Sequence, residues 1–303
     1  MANANVLVGT ASWTDPTLIK CKCFYPDDVK TAEERLRFYA GQFSVVEVDS
    51  SFYAMPSFNN SVLWTQRTPA DFVFDVKLFR AFTMHQTPLK ALPADLREEA
   101  EPLATKTGNV YYKDLSEEVK DSLWRKFEEG IAPLKSAGKL GYLLFQLPPW
   151  AAKNRDNVAH LEEALQRLGD YTVAVEFRNA TWLSERSRVS TVSMLRELNV
   201  PMVIVDEPQG FASSMPLVWE ATSTELAVVR FHGHNDETWM KKGLPSSAER
   251  FNYLYSAEEL DAFVRPIHEL AANTRQVHAM MNNCYRNHAQ VNAQQLREQL
   301  GLV

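Results

Sequence analysis

The chain has 303 residues, enough to bury a large core in one compact unit. It is 45% hydrophobic and 23% charged with a net charge of -6, a globular balance that lacks the basic footprint of a protein for extended nucleic acid or anionic membrane. No cation precedes Lys20 and the apolar runs are short, so neither a signal peptide nor a membrane span is expected.

The first expected strand is VLVGTAS at 6–12. A helix opens after it at Thr31, with Glu34 three residues on as a capping box. Strands follow at 45–49 (VVEVD) and 72–79 (FVFDVKLF). Residues 80–114, with Pro88, Pro93, Pro102 and Gly108, form a long insertion before a helix over 115–138. The fourth strand is 142–147, then come a helix at 158–169, the fifth strand at 172–178, a helix at 189–199 and the sixth strand at 201–206. Residues 207–224 carry no helical period before the seventh strand at 226–233. A second capping box, Ser256 with Glu259, starts a helix that Pro266 is expected to bend. The eighth strand is 277–283, and a last helix runs from Asn287 to Gly301.

These apolar runs lack strict polar alternation, as parallel strands covered on both faces do. Eight of them, separated mainly by helices, predict an α/β fold, a (β/α)8 TIM-like barrel, with 1–303 as a single domain. No glycine-rich turn follows the first strand to favour an open doubly wound sheet. Cys21, Cys23 and Cys284 make no disulfide framework, which fits a reducing, cytoplasmic setting.

The seventh run, VVRFHGHN, goes from apolar residues straight into costly ones. Side chains alternate across a strand, so Arg230 and His232 share a face, with His234 beyond them. Glu47 and Asp49 share one in the second strand, as do Glu176 and Arg178 in the fifth. Lys77, Gln146, Asp206 and Asn282 end the third, fourth, sixth and eighth strands, and Thr10 and Ser12 the first. In a barrel those ends meet at one mouth. Trp13, Tyr25, Phe52, Tyr53 and Trp182 flank them and offer stacking faces, whereas Trp64, Trp124 and Trp150 read as packing. One charged strand end is usually a solvated boundary, and Glu176–Arg178 or Asp49–Lys77 would serve equally as structural pairs. Their number on one rim is what points to a site.

The segments GTASW (9–13), FYP (24–26), VEVDSSFYAMP (46–56), W-x-x-R-T-P-x-x-F-x-F-x-V-K (64–77), FQLPP (145–149), VEFRNATW (175–182), FHGHN (231–235) and NNCYRNHAQVNA (282–293) cover most of the chain. In this order they resemble the motifs of the YecE-like family, domain of unknown function number seventy-two. The resemblance implies a (β/α)8 barrel and supplies no reaction. Ser12 stands where that family usually has glycine, and His234 where it often has arginine.

Four carboxylates, Glu47, Asp49, Glu176 and Asp206, face three cations, Lys77, Arg178 and Arg230. This suits a small polar anionic ligand held by the cations while a carboxylate or His232 moves a proton. Expected catalytic residues are Glu47, Asp49, Glu176, Asp206 and His232. Expected substrate contacts are Ser12, Trp13, Tyr53, Lys77, Gln146, Arg178, Arg230 and Asn282. The reading is an enzyme of hydrolase or isomerase type, acting on a phosphate- or carboxylate-bearing sugar or nucleotide. The alternative is a non-catalytic binding protein for a phosphorylated metabolite, nucleotide or nucleic-acid end. Interleaved cations would repel a divalent ion, so no metal and no other cofactor is expected. A glycosidase would use Glu47 and Glu176 as its carboxylate pair, and Cys284 with His288 would be a thiol nucleophile and its base. Oligomeric state is not readable from these features.

Overall fold

The computed structural model describes residues 5–211, 214–244 and 246–302. Eight parallel strands form its centre: β1 (Val6–Thr10), β2 (Val45–Val48), β3 (Val73–Lys77), β4 (Leu140–Gln146), β5 (Val173–Glu176), β6 (Val203–Asp206), β7 (Leu226–Phe231) and β8 (Gln276–Met281). They are hydrogen-bonded in the order β5–β4–β3–β2–β1–β8–β7–β6. A lone parallel bridge between Val175 and Met202 joins the two edges, with the Val175 N–H donating to the Pro201 carbonyl at 2.8 Å. The sheet is thus a TIM-like barrel, nearly closed, with its thinnest joint between β5 and β6.

Among the described residues, seven helices of nine or more residues surround it: α1 (Ala32–Gln42), α2 (Phe58–Gln66), α3 (Glu117–Ser136), α4 (Arg155–Arg167), α5 (Arg188–Glu197), α6 (Ala257–Asn273) and α7 (His288–Gln299). Both expected capping boxes form, at Thr31/Glu34 and Ser256/Glu259. Pro266 does not end α6. Leu260, Phe263, Ile267 and Leu270 are buried along that helix, and their packing outweighs one missing N–H. The sequence gives no clear signal for α2, which buries only the small Ser61. It docks on α3 where Gly130 lets the chains approach: Ser61 Oγ donates to the Gly130 carbonyl at 2.6 Å, and a Cβ on Gly130 would lie 2.2 Å from the Pro56 oxygen.

The two irregular connections are present. Residues 78–116 hold only short helical turns and a two-residue antiparallel pair, Thr87–Pro88 with Asn109–Val110. Phe82 pins this insertion by stacking on Trp124 of α3 at 3.6 Å. No helix joins β6 to β7 among the described residues. Thr222 braces that side, donating to the Val200 carbonyl at 2.6 Å and accepting from the Met202 N–H at 2.7 Å. No helix is long and apolar enough to cross a membrane among the described residues.

Inside the barrel the filling is polar as well as apolar. Asp75, Tyr142 and His278 are fully buried, with Asp75 Oδ2 2.8 Å from His278 Nδ1 and Oδ1 accepting from the Tyr142 N–H at 3.2 Å. A Cβ on Gly141 would fall 2.1 Å from Asp75 Oδ1, so glycine is required beside this pair. Tyr142 then turns its hydroxyl toward Glu47, one layer nearer the mouth.

Candidate functional site

Register decides which groups meet. Glu47 pairs with Asp75 across β2 and β3, and Gln146 with Glu176 across β4 and β5. Arg230 lies beside Val205 of β6 and Met280 of β8. Residues in register on parallel strands share a face, so Glu47, Gln146, Glu176 and Arg230 all point inward.

Arg230 is the hub. Its Nη2 donates to Glu47 Oε1 at 2.6 Å and its Nη1 donates to Glu176 Oε2, with all three side chains 0% exposed. Gln146 Oε1 lies at the outer limit of a bond to Nη1, 3.5 Å. The Tyr142 hydroxyl donates to Glu47 Oε2 at 3.3 Å. The second oxygen of Glu176 faces Arg178 Nη1 at 3.2 Å and His232 Nε2 at 3.4 Å. Arg178 Nη1 also lies 3.0 Å from Glu207 Oε2 and 3.0 Å from His232 Nε2. The Asn282 amide sits 2.7 Å from His232 Nδ1. One hydrogen-bonded run thus joins Tyr142, Glu47, Arg230, Glu176, Arg178, His232 and Asn282.

The two carboxylates on this guanidinium are driven apart. Burial pushes Glu47 up to about 7, since it outweighs the attraction of Arg230. Glu176 is equally buried, but Arg230, His232 and Arg178 together hold it well below the carboxylate range. Burial, with the charges of Arg178 and Arg230, pushes His232 down to about 3 against the opposing pull of the Glu176 carboxylate, so the ring is neutral. Arg230 fills the space between Glu47 and Glu176, and no sugar can lie between them as a glycosidase pair requires.

Other expected contacts fall elsewhere. Lys77 Nζ pairs with Asp49 Oδ1 at 3.2 Å and lies 4.9 Å over the Phe52 ring, at the rim but outside the run. Asp206 pairs in register with Phe231, not Arg230, so it points out of the barrel. There it accepts from the Tyr255 hydroxyl and lies 2.8 Å from His234 Nε2. The inward acid of that strand end is Glu207. Thr10 also points outward, its hydroxyl 2.9 Å from Tyr39 Oη on α1, and Ser12 Oγ accepts from the Thr14 N–H in a local turn. Trp13 is buried edge-on against Trp64 and Phe74, a packing residue behind the strands. Trp182 stacks on Phe177 and the Tyr25 hydroxyl bonds to the Trp13 carbonyl. Tyr53 is exposed next to Phe52. Burial pushes the Cys284 thiol well up, the opposite of an activated nucleophile.

The mouth also holds groups that sequence reasoning passed over. Trp150, read as packing, is 59% exposed and walls a cleft of about 490 Å³. Arg178, Trp239, Phe251, Lys242 and Arg250 line it too, and no carboxylate does among the described residues. The Arg178 guanidinium stands over the Trp239 ring at 5.4 Å. Parity from Val203 and Val205 was the available signal for Glu207; for Trp239, Lys242 and Arg250, on an irregular segment, there was none. A second hollow of about 480 Å³ lies beside Gly169–Val173 and Leu198–Pro201, at the opposite, N-terminal ends of β5 and β6. Among the described residues no three His, Cys, Asp or Glu gather as metal ligands.

Residues 7–303 match the family model described as "Protein of unknown function DUF72". The chain is 32% identical over 259 residues to the UPF0759 protein YunF of Bacillus subtilis, covering 84% of this chain and 80% of that one. Two solved structures of DUF72 family proteins share the fold. One, from Enterococcus faecalis V583, has a TM-score of 0.80 at 23% identity, covering 98% of this chain and 96% of its own. The other, from Thermotoga maritima MSB8, has a TM-score of 0.76 at 28% identity, covering 98% and 99%.

Proposed function

Because the chain belongs to the DUF72 family, whose description carries no activity, we propose its function from the site alone. It is an enzyme acting on a small polar anionic substrate, a phosphate- or carboxylate-bearing sugar or nucleotide, by carboxylate and histidine acid–base chemistry at the barrel mouth. One observation carries this reading. The run from buried Glu47 through Arg230 and Glu176 emerges at Arg178, which is also a wall of the aromatic, cationic cleft.

The chemistry follows from what each group can do. Arginine only donates, so the 3.0 Å contact from Arg178 occupies the lone pair of His232 Nε2. A ligand anion in the cleft competes for that guanidinium and frees the lone pair to accept a proton. Glu176, held ionised beside it, then stabilises the imidazolium, as a carboxylate does for a general base. Glu47 sets how much of the charge of Arg230 remains for Glu176: neutral, it leaves the guanidinium to its partner; ionised, it shares it. Trp150, Trp239 and Phe251 supply faces for a sugar or base. The substrate stays a class, because the cleft selects charge and flatness rather than one compound.

A second reading, a binding protein without turnover, has its own support: Glu47, Glu176 and Arg230 are wholly buried, and only Arg178 of the run lines the cleft. A thermal-shift screen of phosphate- and carboxylate-bearing sugars and nucleotides tests both. A ligand at a hundredfold excess over its dissociation constant adds about 2.7 kcal/mol. With the best ligand as substrate, His232→Gln should keep that stabilisation and lower turnover by about 10²–10⁴-fold. A wild-type protein that binds and never turns over any hit is the binding protein. Stabilisation by neutral apolar compounds alone would sink both readings.

A further inference from the structure

Among the described residues, three cations at the strand ends have carboxylates beside them and a fourth does not. Lys77 has Asp49, Arg178 has Glu176 and Glu207, and Arg230 has Glu47 and Glu176. Arg80, three residues beyond β3, makes no ion pair among the described residues, and its Nε is buried without a hydrogen-bond partner. Its guanidinium lies 5.2 Å over the Phe52 ring, the ring that also carries Lys77 Nζ at 4.9 Å. His85 packs edge-on to Phe52 at 4.9 Å and to Trp150, the wall of the cleft, at 5.6 Å. Its Nδ1 is 2.9 Å from Thr83 Oγ1. Burial first, then the charges of Lys77, Arg80 and Arg178, push it down to about 3, so the imidazole is neutral in the field of these cations. Shielding part of a guanidinium from water without an anion is unfavourable, and a ring contact offsets that only in part. Arg80 is half-buried, and its Nε is the part shielded from solvent with no acceptor beside it.

We propose that Arg80 completes an oxyanion subsite with Lys77 and Arg178, walled by Phe52 and His85, and that this subsite takes the phosphate dianion of a phosphomonoester. The proposal rests on the reading of the mouth as an anion site and names its anion. Asp49, Glu176 and Glu207 already offset Lys77 and Arg178, so within this group Arg80 brings the uncompensated charge. The fork of Arg80 and the ammonium of Lys77 match a tetrahedral group with three terminal oxygens better than a planar carboxylate with two. A sugar phosphate and a nucleotide both present this group.

The experiment is calorimetric titration of the full chain with inorganic phosphate, ribose 5-phosphate and adenosine 5′-monophosphate, with acetate as the carboxylate probe. Arg80→Gln should weaken all three phosphate probes at least about tenfold, Arg80→Lys should recover part of the loss, and exposed Arg265→Gln should change nothing. The ester that binds more tightly to wild type identifies the source of the phosphate. Removing an unpaired cation should leave the melting temperature of Arg80→Gln without ligand at or above that of wild type. If Arg80→Gln does not fold, Arg80→Lys alone must still weaken phosphate. Phosphate that binds wild type and Arg80→Gln equally overturns this subsite and leaves the anion reading standing. Tighter binding of acetate than of phosphate also overturns it. No binding of any of the four anions by wild type ends both.

Discussion

Glu47 and His232 sit within one hydrogen-bonded run and answer acid in opposite senses. Glu47 keeps its proton up to about 7 when folded, against an ordinary value of 4.5. Between those limits the folded state binds more protons, so this group's contribution to stability is full below 4.5 and is lost as pH rises toward 7. His232 stays neutral down to about 3 while the unfolded chain takes up its proton near 6.5, so its contribution is present above 6.5 and is lost as pH falls. Glutamine mimics the protonated acid. Urea denaturation should therefore show the advantage of wild type over Glu47→Gln shrinking from about pH 5 to 7, by at most about 1.4 kcal/mol per pH unit. A difference that stays flat would mean that Glu47 is ionised throughout. The same scale shows what a single sequence withholds. Asp206 and Glu207 are consecutive acids at the end of an apolar strand; parity from Val203 and Val205 points to Glu207, and the pairing of Val205 with Arg230 fixes that parity as the inward one. Glu47, Glu176, Arg178 and Arg230 were legible from alternation alone, because their strands carry no such ambiguity. Arg80 was not, since it lies where alternation has already ended.

Among the elements, α2 and the aromatic residues show why pattern succeeds in one place and fails in another. The stretch FNNSVLWTQ has no apolar stripe, because its buried contact with α3 is made through Ser61 and a glycine rather than large side chains. A helix that packs through small residues leaves no hydrophobic period to read. Gly130→Ala should thus cost about 1–3 kcal/mol in chemical denaturation, as overpacking does, although alanine is the better helix former. An unchanged or raised stability would mean that Pro56 yields freely. Trp13 and Trp150 exchange their expected places for a related reason. An indole just past a strand reads alike whether the chain turns back over the helices, as at Trp13, or out over the mouth, as at Trp150. The capping boxes were legible because they are local, set by residues three apart.

At the scale of the molecule, the count and order of strands were legible, and the quality of closure was not. β1 and β8 pair from Val6–Val277 to Thr10–Met281, whereas β5 and β6 meet at one bridge, with no helix over the connection that follows β6. Local opening should start there, so in native-state hydrogen exchange the amides of Val175 and Met202 should exchange before those of β1 and β8. Thr222→Val, which removes both braces of that joint, should speed them further, and protection equal to that of β8 would show a seam as tight as the rest. The asymmetry at the mouth has a different consequence. Of seven tryptophans, Trp13, Trp124, Trp182 and Trp239 are buried, while Trp150 is 59% exposed beside the cations of the cleft. Trp150 is thus the most exposed indole among the described residues, and much of the solvent-facing ultraviolet emission comes from beside Arg178, Lys242 and Arg250. Iodide should darken that emission more effectively than neutral acrylamide does, and whatever settles in the cleft will shade it. The molecule thus carries its own lamp in the wall of that cleft.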